Sequence, residues 1–307
     1  MFSRDIAIGI MFLSQTTVGI LGNFSVLYYY LVLYYQDCTL RSTDMILKHL
    51  FIANFFIILS HGVPHTMAAF GLKHSFNDFS CKILLYIHRL GRGVSTAMTC
   101  LLSVFQTIMI SPMNSCWKDL KVKAPRYTES SISLCWILYV VISFIFPIHA
   151  YVKQNSKNMT KSRYFGFCST EGNNIISSIY LVLFIFPEVL FSVLIICSSC
   201  SVIIFLYKHK QQVQYIRTVA SRRASPESRA THSIFVLVCT FVIFNTVSSI
   251  LYIYVAFMHH PSVWLVNISA LLSVSFPTVS PFVFMRRHST VLRLCFVWIR
   301  NPRIGQS

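Results

Sequence analysis

Long stretches without any charged side chain constrain this sequence more than any other feature. No Asp, Glu, Lys or Arg occurs between Asp5 and Asp37, or between Arg229 and Arg286. About 20 apolar residues in a helix cross the ~30 Å hydrocarbon core of a membrane, and only helices and closed barrels satisfy their backbone polar groups there. Charged residues make up 11% of the chain, against about 25% in soluble proteins. The sequence therefore predicts an integral membrane protein.

Seven apolar stretches are long enough to cross a membrane. Flanking charges set most of their ends, and the polar run His259-His260-Pro261 divides the last long stretch in two. The predicted spans cover residues 6–33, 45–70, 79–110, 130–152, 174–207, 231–257 and 262–285, and residues 286–307 form a short tail. We therefore expect an all-α membrane protein, in which residues 1–307 form a single seven-transmembrane helix bundle.

The distribution of Lys and Arg indicates the orientation. Sixteen of these residues lie in the tail and in the connections after spans one, three and five, and seven lie on the opposite side. Since cytoplasmic loops carry the Lys/Arg excess, we expect an extracellular N-terminus and a cytoplasmic tail that contacts anionic membrane lipid. The net charge of +17 does not indicate nucleic-acid binding, because the cations lie between apolar runs instead of beside stacking aromatics.

Two further signals agree with this orientation. Asn158-Met159-Thr160 is an N-glycosylation acceptor in the predicted outer loop between spans four and five. The other two acceptor triplets begin at Asn23 and Asn267 and fall inside predicted spans, so we regard them as chance matches. Among ten Cys, only Cys81 and Cys168 are at outward-facing positions, and disulfides persist outside the cell.

Charged residues inside spans are the strongest candidates for function. A charge at the membrane centre costs about 2.5–3.5 kcal/mol on insertion scales and usually faces the bundle interior. Arg89 and Arg92, next to His88, share one face of span three because they are three residues apart, about 12–17 Å below the outer surface. They either anchor an anionic or acceptor-rich ligand or stabilise the bundle. Glu188 is the only acidic residue within a span, and we expect it to pair with one of them.

Other patterns carry less weight. His61 and His65 are four residues apart, but no third metal ligand accompanies them, so we predict no metal site. Gly91 and Gly93 flank Arg92 within a span, where glycines permit close helix packing. We find no nucleophile–base constellation, phosphate-binding loop or cofactor motif, and so predict neither an enzyme nor a bound cofactor.

Five long motifs resemble the vomeronasal type-1 receptors, a family of G-protein-coupled pheromone receptors. HRLGRGVSTAMTCLLSVFQTIMISP at 88–112 resembles their third span, and HLFIANFFIILSHGVP at 49–64 resembles their second. NMT followed by FGFCST resembles their second outer loop, SRRASPESRATHSIFVLV at 221–238 their third inner loop and sixth span, and FPTVSPFVFM at 276–285 the end of their seventh. The resemblance covers essentially the whole chain.

The resemblance implies a multi-pass receptor of the plasma membrane. It implies a disulfide between Cys81 and Cys168, a glycan on Asn158, and a small-molecule pheromone bound in the outer half of the bundle. We expect His88, Arg89, Arg92 and Glu188 at that ligand site. The partner would be a heterotrimeric G protein of the inhibitory class, for which Gln106, Arg222, Arg223 and Arg229 are the candidate contacts.

Departures from the wider rhodopsin-like class are shared with vomeronasal receptors and partly with bitter-taste receptors. Phe105-Gln106-Thr107 replaces the acidic-Arg-aromatic triplet of span three, and Asn54 replaces an Asp, which puts that class's sodium site in doubt. Pro281 remains, although the surrounding motif of span seven is absent. A bitter-taste-type receptor is the nearest alternative, against which the SRRASPESRAT segment and the two outer cysteines argue. A transporter or channel is less favoured, because internal repeats are not evident.

Overall fold

Seven helices account for nearly all of the chain that the structure describes. The computed structural model describes residues 2–36, 40–71, 77–111, 115–144, 150–151, 162–164, 169–171, 183, 185–216, 226–257 and 262–287. The helices are α1 (Phe2–Tyr35), α2 (Ser42–Ala69), α3 (Asp78–Ile110), α4 (Ser115–Phe144), α5 (Phe186–Ile216), α6 (Pro226–Phe257) and α7 (Val263–Arg287). Their order and number confirm the predicted seven-transmembrane bundle.

The apolar character of the helices fits a membrane. Six of them, α1 to α5 and α7, are long and apolar enough to cross it, and α6 contains a shorter apolar stretch, Val236–Leu251. The fourth helix differs from its predicted span of 130–152, since it begins at Ser115 and ends at Phe144. Pro147 follows three residues later in the sequence, and proline disfavours helical backbone at and before its position.

The central element is α3, which contacts α2, α4, α5 and α6. Its capping is local, because the Asn77 side chain accepts a hydrogen bond from the backbone N–H of Ser80. Buried residues run almost without interruption from His88 to Cys100. The core forms around this helix, with Val94 and Met98 packed among residues of the neighbouring spans.

Glycines allow α3 to approach its neighbours closely. A Cβ added at Gly93 would lie 2.2 Å from the Tyr139 ring of α4, and one at Gly91 would lie 3.0 Å from the Ala53 carbonyl oxygen of α2. A larger side chain requires a shift of the Tyr139 ring at position 93 and of the α2 backbone at position 91. The close helix packing predicted for these two glycines is therefore confirmed.

The second helix contains a change of helical type. It is α-helical over Ser42–Ile57, π-helical over Ile58–Gly62 and α-helical again over Val63–Ala69. A π turn uses i→i+5 hydrogen bonds and is common at functional sites. Its last residue, Gly62, lies where an added Cβ would be 2.8 Å from Thr16 Oγ1 of α1. The turn therefore brings the outer part of α2 close to α1.

A small sheet follows α4 and adds a β element to the predicted all-α fold. Its strands are β1 (Ala150–Tyr151), β2 (Ser162–Tyr164) and β3 (Ser169–Glu171), in the antiparallel order β1-β3-β2. β1 contacts α3, so this strand lies against the bundle.

Candidate functional site

Arg92 of α3 is the centre of a hydrogen-bonded cluster. Its Nε forms an ion pair with Glu188 Oε1 of α5, and its Nη2 donates to Ser249 Oγ of α6 at 2.6 Å. The Ser249 hydroxyl in turn donates to Glu188 Oε2 at 3.1 Å. The cluster closes on itself and joins three helices. The pairing of Glu188 with an arginine of span three, which the sequence favours, is thus present.

The ion pair between Arg92 and Glu188 lies mostly out of contact with solvent. The side chain of Arg92 is 8% exposed and that of Glu188 is 20% exposed. A buried charge is tolerated when it is paired and hydrogen-bonded. Glu188 also lies in the first turn of α5, where the helix dipole favours a negative charge. The sequence did not predict Ser249 as a site residue, because a serine in an apolar helix gives no distinctive signal.

Arg89 lies one turn nearer the outer end of α3 than Arg92. It is 9% exposed, and the adjacent His88 is 5% exposed. The two arginines place two guanidinium groups within the buried part of one helix. This arrangement fits both interpretations of the pair, a ligand anchor and a structural element of the bundle.

Three histidines and a phenylalanine form a stack beside these arginines. The rings of His61 and His88 lie 4.3 Å apart at 22°, those of His61 and His65 lie 4.4 Å apart at 58°, and His65 stacks on Phe12 at 5.3 Å. All three histidines are buried, and His88 directly precedes Arg89 in α3. We call these four side chains the histidine stack. It joins α1, α2 and α3.

The histidine stack shows what the sequence did not predict. The sequence suggested only a metal site for His61 and His65, which the lack of a third ligand disfavoured, and it gave no indication that they pack against His88 in the outer half of the bundle. His61 belongs to the π turn of α2. Within the described part of the chain, no group of three His, Cys, Asp or Glu side chains has the arrangement of a metal site.

A polar network lies nearer the cytoplasmic end and joins four helices. Ser95 Oγ of α3 donates to Asn54 Oδ1 of α2 at 3.0 Å, and Asn54 Nδ2 donates to Ser280 Oγ of α7 at 3.0 Å. Asn23 Nδ2 of α1 donates to the carbonyl oxygen of Pro277 at 2.9 Å. Pro281 leaves this carbonyl without its regular helical donor. The network uses amide and hydroxyl groups where the sequence comparison with rhodopsin-like receptors expects a carboxylate.

A cavity separates the Arg92 cluster from this network. It lies between α3, α6 and α7 and has a volume of about 20 Å³. Its polar walls are formed by Arg92, Ser95, Asn245, Ser248 and Ser273, and its apolar walls include Phe241 and Phe276. The rings of these two phenylalanines meet edge to face at 4.8 Å.

The structure describes only some of the residues that were predicted to contact the G protein. Gln106 is 6% exposed, and its Nε2 has no hydrogen-bond partner within the described part of the chain. Its neighbour Thr107 donates from Oγ1 to the Ser198 carbonyl oxygen at 3.1 Å, which ties α3 to α5. Arg229 lies in the first turns of α6, whereas Arg222 and Arg223 lie outside the described residues.

The structure describes only part of the two modifications predicted for the outer side, the disulfide and the glycan. Cys81 is buried in the first turn of α3 and is disulfide-bonded. Cys168 and Asn158 lie outside the described residues, so the Cys81–Cys168 pairing and the glycan stay predictions. Asn23 is fully buried, and its side-chain nitrogen also donates to the Gly19 carbonyl oxygen at 2.8 Å.

Comparison with known proteins gives consistent matches along the chain. The model of the vomeronasal organ pheromone receptor family matches residues 6–297. Human vomeronasal type-1 receptor 4 is 49% identical over 302 residues, which are 98% of this chain and 100% of the relative. Human vomeronasal type-1 receptor 3 is 48% identical over 99% of this chain and 98% of its own length. The zebrafish (Danio rerio) olfactory receptor class A-like protein 1 is 25% identical over 90% of this chain and 88% of its own length.

The fold also has a solved counterpart. The crystal structure of squid rhodopsin superposes with a TM-score of 0.69 at 17% identity, covering 97% of this chain and 87% of that chain. At this identity the likeness concerns the fold alone.

Proposed function

Because this chain belongs to the vomeronasal organ pheromone receptor family, we propose that it is a plasma-membrane pheromone receptor that activates an inhibitory-class G protein. Its family and fold are those of a G-protein-coupled receptor. The proposal adds the ligand class, the G-protein class and the cellular location. It assigns the protein no catalytic activity.

The Arg92–Glu188–Ser249 cluster supports a ligand site in the outer half of the bundle. The cluster holds α3, α5 and α6 in one arrangement through a closed set of polar contacts. A ligand shifts such an arrangement only by its differential affinity for two states. An acidic or acceptor-rich ligand group that binds the Arg92 guanidinium competes with Glu188 and favours a state in which α5 and α6 are released from α3.

His88 and Arg89 would complete this ligand site. Both are buried one turn or less above the cluster, and His88 belongs to the histidine stack. Its Nδ1 is buried and has no hydrogen-bond partner within the described part of the chain. A ligand that accepts or donates a hydrogen bond there would satisfy a group that is otherwise costly to bury.

Ligand-triggered signalling is the direct test. The full-length receptor would be expressed in cells with a cyclic-AMP reporter and screened against sulfated steroids, neutral steroids and urinary volatiles. We expect at least one ligand to lower cyclic AMP, and a toxin that ADP-ribosylates inhibitory-class α subunits to abolish the response. A response through another G-protein class would contradict the partner proposed here, and ligand-dependent radiotracer flux without G-protein activation would favour a transporter or channel.

The cytoplasmic ends of α3 and α6 are proposed to contact the G protein. Gln106 and Arg229 lie there on different helices, and Arg222 and Arg223 precede α6 in the sequence. We expect Gln106→Leu to reduce ligand-stimulated G-protein activation while the level of receptor at the cell surface stays unchanged. Unchanged coupling in Gln106→Leu at normal surface level would remove this residue from the proposed interface.

A further inference from the structure

A groove between α2 and α4 opens on the lipid-facing surface of the bundle. Its volume is about 480 Å³, which is room for more than a few water molecules of about 30 Å³ each. Met45 and His49 line it from α2, and five residues of α4, from Glu129 to Ile137, line it from the other side. Ile137 is 62% exposed, as is expected where a side chain faces hydrocarbon. The occupant of this groove therefore comes from the membrane.

The chemistry of the groove changes with depth. Glu129, Ser133 and Trp136 are four and three residues apart on α4, so they lie on one face of the helix. No charged residue follows Glu129 within α4, so the fully apolar part of the helix begins there, and Trp136 lies about 10 Å deeper. The deeper wall consists mainly of indole and aliphatic side chains. This gradient fits an amphiphile whose headgroup lies at Glu129.

Glu129 carries a charge that the protein does not compensate. Its side chain is exposed and makes no ion pair or hydrogen bond within the described part of the chain. It lies well beyond the first turn of α4, so the helix dipole does not stabilise it. A carboxylate at the rim of a groove that faces lipid favours a cationic partner with N–H donors.

A hydrogen bond between the two helices fixes the deep part of the groove. Trp136 Nε1 donates to His49 Nδ1 at 3.2 Å, and the two rings meet at 65°. Because Nδ1 accepts this bond, the neutral imidazole carries its proton on Nε2 and has one donor left. His49 lines the groove at the depth of Trp136. A donor at this depth suits the ester carbonyl groups that follow the headgroup in a phospholipid.

We propose that this groove binds a phosphatidylethanolamine molecule of the cytoplasmic leaflet, whose ammonium group donates hydrogen bonds to the Glu129 carboxylate. Its acyl chains lie along Trp136 and Ile137. Phosphatidylcholine has no N–H donor, the carboxylate repels an anionic headgroup such as phosphatidylglycerol, and a sterol hydroxyl leaves the charge uncompensated. The lipid bridges α2 and α4, and its binding does not depend on the pheromone or the G protein.

Competition between headgroups tests the proposal. The purified, glycosidase-treated full-length receptor in detergent is mixed with equal amounts of phosphatidylethanolamine, phosphatidylcholine and phosphatidylglycerol that have identical acyl chains. Native mass spectrometry measures how much of each lipid is bound. We expect phosphatidylethanolamine to bind about two to five times as well as phosphatidylcholine, which is the size of effect that one partly exposed ion pair has.

Variants at Glu129 assign the preference to the groove. Because Glu129 is exposed, its replacement leaves the contacts between helices intact. Glu129→Gln should make the binding of phosphatidylethanolamine and phosphatidylcholine equal, and Glu129→Lys should favour phosphatidylglycerol. Asp119→Asn is the matched control and should keep the preference, since Asp119 is an exposed carboxylate of the same helix that does not line the groove.

Three outcomes would overturn the proposal. Equal binding of phosphatidylethanolamine and phosphatidylcholine by the wild-type receptor would show that the headgroup is not recognised. A preference that persists in Glu129→Gln would place the lipid elsewhere. Loss of the preference when an equal amount of cholesterol is added would show that the groove prefers a sterol.

Discussion

At the scale of single residues, Arg92 combines electrostatic and mechanical roles. Its guanidinium contacts a carboxylate of α5 and a hydroxyl of α6, so its loss affects three helices together. Removing one partner of a buried ion pair costs about 3–5 kcal/mol, because the remaining charge is left uncompensated. Glu188 is 20% exposed, so the lower part of this range applies.

We predict that Arg92→Ala and Glu188→Ala each raise basal signalling or reduce surface expression. The double variant Arg92→Glu/Glu188→Arg should recover part of the loss, since it restores opposite charges. Surface labelling beside a dose response for charged and neutral ligands measures both effects. Arg126→Ala is the matched control, because Arg126 is exposed on α4 and its loss should change neither quantity.

The same variants distinguish a structural pair from a ligand anchor. If Arg92 contacts an anionic ligand, Arg92→Ala weakens sulfated ligands selectively and leaves neutral ones unaffected. Unchanged expression, basal signal and ligand preference in Arg92→Ala would contradict both roles.

The candidate site was predictable from the sequence where chemistry left few choices. Glu188 was identified because it is the only acidic residue within a span, and a charge in lipid needs a partner. Ser249 and Asn245 were not, because uncharged polar residues are too numerous in these helices for one of them to stand out. His61 was not identified either, since its contact with His88 depends on the local geometry of α2.

At the scale of helices, the close contact between α3 and α4 depends on Gly93, which has no side chain. Tyr139 packs over Gly93 and is 4% exposed, so its ring has no space into which it can move. Extra methylene groups in a packed core cost about 1–3 kcal/mol. An alanine at position 93 therefore forces the Tyr139 ring or one of the two helices to shift.

We predict that Gly93→Ala lowers the thermal midpoint of the solubilised receptor and its surface level. Gly9→Ala is the control, because an added Cβ there meets at 3.3 Å the ring of Phe70, which is 48% exposed and can move. The double variant Gly93→Ala/Tyr139→Leu should restore part of the stability. A Gly93→Ala receptor as stable as Gly9→Ala would contradict the close packing of α3 on α4.

Helix positions were predictable for a physical reason that does not extend to helix ends. Lipid requires about 20 apolar residues per crossing, so hydropathy predicted all seven helices. No such requirement acts beyond the membrane, where α4 begins at Ser115 and the strand Ala150–Tyr151 replaces the predicted end of the span. The π turn leaves no mark in mean hydropathy, because this quantity depends on composition and not on the number of residues per helical turn.

At the scale of the whole molecule, the strand β1 that follows α4 lies against the bundle. β1 contacts α3, and Cys81 at the start of α3 is disulfide-bonded. Cys168 directly precedes the first residue of β3. A bond between these two cysteines would fix the sheet above the helices and restrict the unfolded chain.

We predict that Cys81→Ser and Cys168→Ser each strongly reduce surface expression, since loss of a native disulfide typically costs about 2–5 kcal/mol. The double variant should be no worse than either single one, because both remove the same bond. Flow cytometry of an epitope-tagged receptor measures the surface level. Normal surface levels in both single variants would exclude the pairing.

The orientation of the molecule is tested by its glycan. We predict that Asn158→Gln abolishes the glycosidase-sensitive mass shift on an immunoblot. Asn267→Gln serves as the control and should leave the shift unchanged. Asn23 is buried, and its amide donates to two carbonyl groups, so it is not accessible to a glycan. A shift that persists in Asn158→Gln would contradict the predicted orientation.

The π turn of α2 affects how positions correspond between relatives. Because each i→i+5 bond encloses one residue more than an α-helical bond, Ile58–Gly62 introduces about one extra residue into the helix. A receptor with a regular α-helix here needs a one-residue gap in any alignment of the outer half of α2. If positions are counted without that gap from Asn54, His65 is equated with a side chain rotated by about 100° around the helix axis. Counting outward from Pro64, which lies beyond the π turn, pairs the residues of the outer half that face the same neighbours.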